Sequence, residues 1–193
     1  MSFGVSLHLI KSILEIMTPA CGRGHYHKFH KRKPLEFIPE TVLEAVLDDM
    51  EAGKWNVEEV LNSWGEQQPA LLAFFFSETF DVLTAEEKPF LLYLAAVVWT
   101  AVNRVRPVEG ALDSEEIESL EEANWEVMNE AGSPRFQDRL DPFFEKTDQE
   151  DLLAFIEDSL VLDDSEEDEW KLTKEGREPI FIGLKTMVDC ITR

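Results

Sequence analysis

One thiol and three imidazoles fall within ten residues, in Cys21-Gly22-Arg23-Gly24-His25-Tyr26-His27-Lys28-Phe29-His30. Thiolate and neutral imidazole are ordinary ligands of tetrahedral zinc, and Gly22 and Gly24 allow the tight turn that would fold such a set around one ion. Cys21, His25, His27 and His30 are therefore the candidate metal ligands and zinc the candidate cofactor. The alternative is a basic, flexible loop. His25 and His27 stand only two residues apart, so ligation by all four groups is strained. The remaining histidine, His8, also precedes residue 31, which leaves the rest of the chain without imidazole. Ser-His-Asp and Cys-His catalysis are thereby removed from the body of the protein, as is the Glu-x-x-His pattern of bundle di-iron sites. Glu118, Glu122 and Glu126 share one helix face at i, i+4 and i+8. Their neighbours Glu115, Glu121 and Glu130 make that face read as solvated rather than as a carboxylate metal site. No catalytic residue is assigned, and an enzyme is not expected.

Residues 19–31 resemble the SEC-C motif, the small zinc knuckle found at the ends of SecA and appended to many bacterial proteins. Its pattern runs C-x-C-G-x-G-x-x-Y-K-x-C-[CH]. Cys21, Gly22, Gly24, Lys28 and His30 fall on matching positions, with His30 where the third ligand belongs. Pro19 occupies the first ligand position, Lys31 the fourth, and Tyr26 comes one place early. The resemblance implies a zinc-stapled accessory element for protein or ribosome contacts.

Charge divides the chain. The 193 residues carry a formal net charge of −22, yet residues 1–34 are net +5 and the remainder −27. Arg23, Lys28, Lys31, Arg32 and Lys33, with Tyr26 and Phe29 among them, give residues 23–33 a weak capacity for nucleic acid, or for docking on the chain's own acidic body. That body repels phosphates and anionic lipids, so nucleic acid and membranes are not its expected partners. It either has a self-repelling, soluble surface or imitates DNA.

Two cysteines, Cys21 and Cys190, are too few for a disulfide framework and suggest a reducing compartment. Phe3, Leu7, Ile10, Leu14 and Met17 form one stripe of an amphipathic helix. Lys11 and Glu15 interrupt it and no positive residue precedes it, so it does not read as an export signal ahead of Thr18-Pro19-Ala20-Cys21. The expected location is cytoplasmic.

From Pro39 onward the periodicity is helical, with no sustained alternation, and predicts an all-α domain of eight to nine helices over residues 35–193. The stretch that organises it is Thr84 to Arg106. Its core from Pro89 to Val102 is apolar on every face, which requires burial on all sides, yet its fourteen residues fall short of the roughly twenty that span a bilayer. Thr84-Ala85-Glu86-Glu87 is a capping box for this helix, and Pro89 predicts an irregular start. Thr147-Asp148-Gln149-Glu150 reads as a second capping box, and Leu71 to Val82 as one continuous helix opened by Pro69. Trp64, Trp99 and Trp125 are expected in the core, and Trp170 beside the acidic run 163–169.

The chain also echoes itself. Gln68-Pro69-Ala70-Leu71-Leu72-Ala73-Phe74 returns as Gln149-Glu150-Asp151-Leu152-Leu153-Ala154-Phe155, and Leu83-Thr84 returns as Leu172-Thr173 at the head of another apolar helix. The acidic run is then an insertion in the second copy. This predicts a duplicated four-helix unit, with halves at about 39–106 and 113–192, packed around a pseudo-twofold axis or stacked as a short solenoid. The later helix, with Lys185 and Asp189, is expected to be the more polar and partly exposed of the pair. The functional expectation is a non-enzymatic helical module that binds another protein. The alternatives are a zinc-binding accessory or adaptor protein acting through residues 21–30, and an acidic DNA mimic.

Overall fold

The computed structural model describes residues 37–161 and 172–192. Among them the fold is all-α, with eight α-helices, two 3-10 turns and no strand. The helices are α1 (Glu40–Glu51), α2 (Val57–Gln67), α3 (Pro69–Phe75), α4 (Glu87–Val105), α5 (Ser114–Glu130), α6 (Asp141–Phe144), α7 (Glu150–Ser159) and α8 (Lys174–Thr192). The 3-10 turns cover Glu78–Val82 and Gln137–Arg139. Residues 1–34 with the candidate ligands Cys21, His25, His27 and His30, and the run 163–169 with Trp170, lie outside the described residues. No helix among those described is long and apolar enough to cross a membrane.

Two helices of nineteen residues each, α4 and α8, form the centre and pack on one another. The all-round apolar character of α4 has the predicted consequence: Leu91, Leu94 to Val98, Ala101 and Val102 are essentially inaccessible. Around this pair, α1 and α2 pack on α4, while α5 and α7 pack on α8. Local stops and starts follow the residues that favour them. Asn56 accepts the Glu59 amide at 2.9 Å and caps α2, and Gly53 (φ 69°) and Gly132 (φ 63°) take the left-handed turn just beyond α1 and α5.

Several expectations are corrected. Leu71 to Val82 is not one helix: α3 ends at Phe75, Ser77 is extended, and a 3-10 turn follows. The break lets Phe80 turn inward against Gly183 of α8, where it is 1% exposed. Thr147 does not form a capping box. Its hydroxyl accepts the Gln149 amide at 3.1 Å, and α7 begins without a side-chain cap. Helix α8 is not the more exposed partner. Thirteen of its residues are buried, Lys185 among them. Trp64 and Trp99 are in the core, but Trp125 is only half-buried.

Residues 37–106 and 107–192 present four helices each, and the contacts between them are exchanged reciprocally. Gln68 and Gln149 are both buried and share nearly the same backbone conformation (φ −135°, ψ 56° and φ −125°, ψ 56°). The Gln68 Oε1 accepts the amide of Leu112, just before α5, at 2.9 Å. In return the Gln149 Oε1 accepts the amide of Ile38, just before α1, at 3.1 Å. Each glutamine therefore holds the start of the other half. Helix α3 packs on α5 and α7 on α1 in the same crossed sense.

Candidate interaction face

Helix α5 has two unlike faces. Seven of its seventeen residues are glutamate and none is basic. Asp113 caps its first turn by accepting the Glu115 amide at 3.1 Å, so the negative charge begins at the end of the helix where the dipole favours it. Farther along, Glu118, Glu122 and Glu126 stand one turn apart and exposed. Like charges at this spacing destabilise a helix by about 0.2–0.5 kcal/mol per pair. The carboxylate-only metal face is thus an outward-facing row. No group of three His, Cys, Asp or Glu residues able to hold a metal ion occurs among the described residues.

At the edge of this row Glu121 is half-buried. Burial pushes its carboxyl above the ordinary value, and the nearby Glu118 charge adds to that, against hydrogen bonds from Thr79 and Trp125 that oppose it. The helix thus carries repulsion that its own residues do not relieve.

The inner face is fixed by a polar cluster. Asn124, 7% exposed, donates through Nδ2 to Thr186 Oγ1 and to Asp189 Oδ2, both at 3.2 Å. The same Asp189 oxygen accepts Lys185 Nζ at 2.5 Å, and Nζ lies 5.9 Å from the centre of the Phe143 ring. Lys185 and Asp189 are one helical turn apart, so the pair was visible in the sequence. Its burial was not, because it depends on α5 and Phe143 arriving from elsewhere in the chain. A side-chain amide gripping two groups one turn apart leaves α5 a single rotation on α8. The acidic row is therefore presented in one orientation.

Helix α1 carries an acidic row of the same length, Glu40, Glu44 and Asp48, and beside it Asp49 has cations at hand. Arg104 reaches Asp49 at 2.5 Å, and Lys54 also pairs with it. These hydrogen bonds, Lys54 first and then Arg104, hold the Asp49 carboxyl below its ordinary value. The large exposed apolar residues Phe37, Val82, Val105 and Val161 are spread over four separate segments. The acidic outer side of α5 is the surface with the clearer chemical character. No family model, curated protein or solved structure matches the chain.

Proposed function

We propose that the chain is a non-catalytic helical module, duplicated from a four-helix unit, which binds a basic segment of another protein along the outer face of α5. The observation that carries this reading is the exposed row Glu118, Glu122 and Glu126 on a helix without a single basic residue. A cationic partner would relieve repulsion that nothing else on the helix offsets, and charge complementarity of this kind chiefly sets partner choice and association rate. Duplication is supported by the common order of helices and the recurring Gln and Thr signatures. Reciprocal exchange of contacts is also what a two-fold relation generates, as residue i meets j and j' meets i'.

The test is an affinity capture from native lysate with the wild-type chain and with E118Q/E122Q/E126Q, each at low and high salt. The reading requires a basic protein that is retained by the wild type, released by salt and lost from the variant. Equal recovery of the same proteins by both chains would overturn it.

A further inference from the structure

The heads of α4 and α8 are capped by one carboxylate between them. Thr84 Oγ1 accepts the Glu87 amide at 3.2 Å, and Glu87 Oε2 accepts the Thr84 amide at 2.8 Å, completing a capping box. On α8, Thr173 Oγ1 accepts the Gly176 amide at 3.0 Å, which is the first half of the same device. The carboxylate that should complete it is absent from α8, because the corresponding residue is Gly176. Glu87 supplies it from across the seam: its Oε1 accepts both the Thr173 amide and the Thr173 hydroxyl at 2.7 Å.

Gly176 is also the room that Glu87 needs. A Cβ placed there would fall 2.6 Å from Glu87 Cδ. The carboxylate is 1% exposed, so a second one could not share the space without repulsion or loss of its charge.

Resting on the two-fold reading above, we propose that Glu87 and Gly176 form a pairing key that makes each half accept only the unlike half. Two first halves would bring two buried carboxylates to one point. Two second halves would leave both threonine amides, which are partly buried, without an acceptor, and a donor left unmet there is costly. Only the unlike pair provides one carboxylate for two caps. The two glutamine contacts do not discriminate in this way, since Gln68 and Gln149 are the same residue and serve like or unlike pairs equally. The key therefore excludes homotypic association of halves between chains, which duplication otherwise invites.

The test transposes the key in the full-length chain. E87G, G176E and E87G/G176E are compared by urea unfolding, with oligomeric state measured alongside. The key predicts that each single change lowers the folding equilibrium constant by about tenfold or more, and that the double change recovers about tenfold over the product of the singles. The double variant should also remain in the wild-type association state. If G176E does not fold, the comparison of E87G with E87G/G176E still decides: the added glutamate must strengthen folding. A double variant no better than E87G, or worse, overturns the key. Gln68→Ala and Gln149→Ala separate that failure from failure of the two-fold reading, because matched losses from these two changes leave the latter standing.

Discussion

The two seams that hold α1 to α4 and α5 to α8 are built from different materials at matching places. Counting from the paired threonines, Ala96, Val97 and Thr100 on α4 stand where α8 has Lys185, Thr186 and Asp189. Counting from the paired helix starts, Met50 on α1 stands where α5 has Asn124. In the first half Ala96 and Val97 are fully buried and apolar, and Thr100 turns its hydroxyl back to the Ala96 carbonyl at 2.8 Å. In the second half the Asn124 amide of α5 joins Thr186 and Asp189 of α8, and Asp189 is itself paired with Lys185 one turn away on α8. The seam between α1 and α4 packs without either. A buried pair rarely adds stability over an apolar set of the same shape, but it can fix a unique arrangement. Here it fixes the helix that carries the unrelieved acidic row.

The largest effect should come from breaking that cluster on one side. Lys185→Met removes the Lys185 ammonium from Asp189 and is expected to cost about 2–3 kcal/mol in chemical unfolding. Replacing the whole set with first-half residues (N124M/K185A/T186V/D189T) should cost far less, while weakening capture of the basic partner. Equal loss from both variants would show that the polar set is needed for folding itself.

Next comes the other departure between the central helices. Leu94 on α4 corresponds to Gly183 on α8, and the missing side chain is replaced by the ring of Phe80, whose Cε1 and Cζ would lie 2.8 Å from a Cβ at position 183. Gly183→Leu, the first-half residue, is expected to destabilise by about 2–3 kcal/mol by overpacking. Added to a Phe80→Ala background, the same change should cost much less. A calorimetric cycle measures the coupling.

How far the sequence revealed these features follows from how local their causes are. The caps at Asn56 and Thr173, the stops at Gly53 and Gly132, and the all-round burial of α4 depend on residues within a turn or two, and all are visible as pattern. The break at Ser77 was hidden because Phe74-Phe75-Phe76 satisfies a helical stripe, and only Gly183, a hundred residues later, explains why Phe80 must leave it. The echo exposed Gln68 and Gln149 as a matched pair but not their work, since each pins a segment of the opposite half. Gly176 carries no signal of its own in the sequence. Its purpose appears only when Glu87 is placed against it. Of the candidate site, the acidic row was legible and the Asn124 cluster was not.

Acidity should separate two glutamates by sign. Burial pushes the Glu87 carboxyl up, but hydrogen bonds from the Thr84 amide and then from Thr173 outweigh it and hold the group below the ordinary glutamate value. Its contribution is complete above the unfolded-state value and is lost as pH falls through the folded one. Glu121 is raised, so its ionised form opposes folding above the folded-state value and that opposition is relieved on acidification. Stability followed from neutral to acid pH should therefore show E121Q gaining over wild type at neutral pH, and E87Q losing its deficit as the pH drops. The opposite trends would refute both assignments.

The smallest change concerns the row itself. Glu122→Lys places a cation one turn from both Glu118 and Glu126, and should stabilise the chain by about 0.5 kcal/mol while abolishing capture of the basic partner. Unchanged capture would detach the row from function.

The claim on which the pairing key most depends is that one carboxylate caps both central helices. Amide hydrogen exchange in wild type and Glu87→Ala measures it directly. The shared cap predicts that protection at Thr84 and at Thr173, 89 positions apart, falls together and more than at the core amides of either helix. A loss confined to Thr84, with Thr173 unchanged, would contradict it.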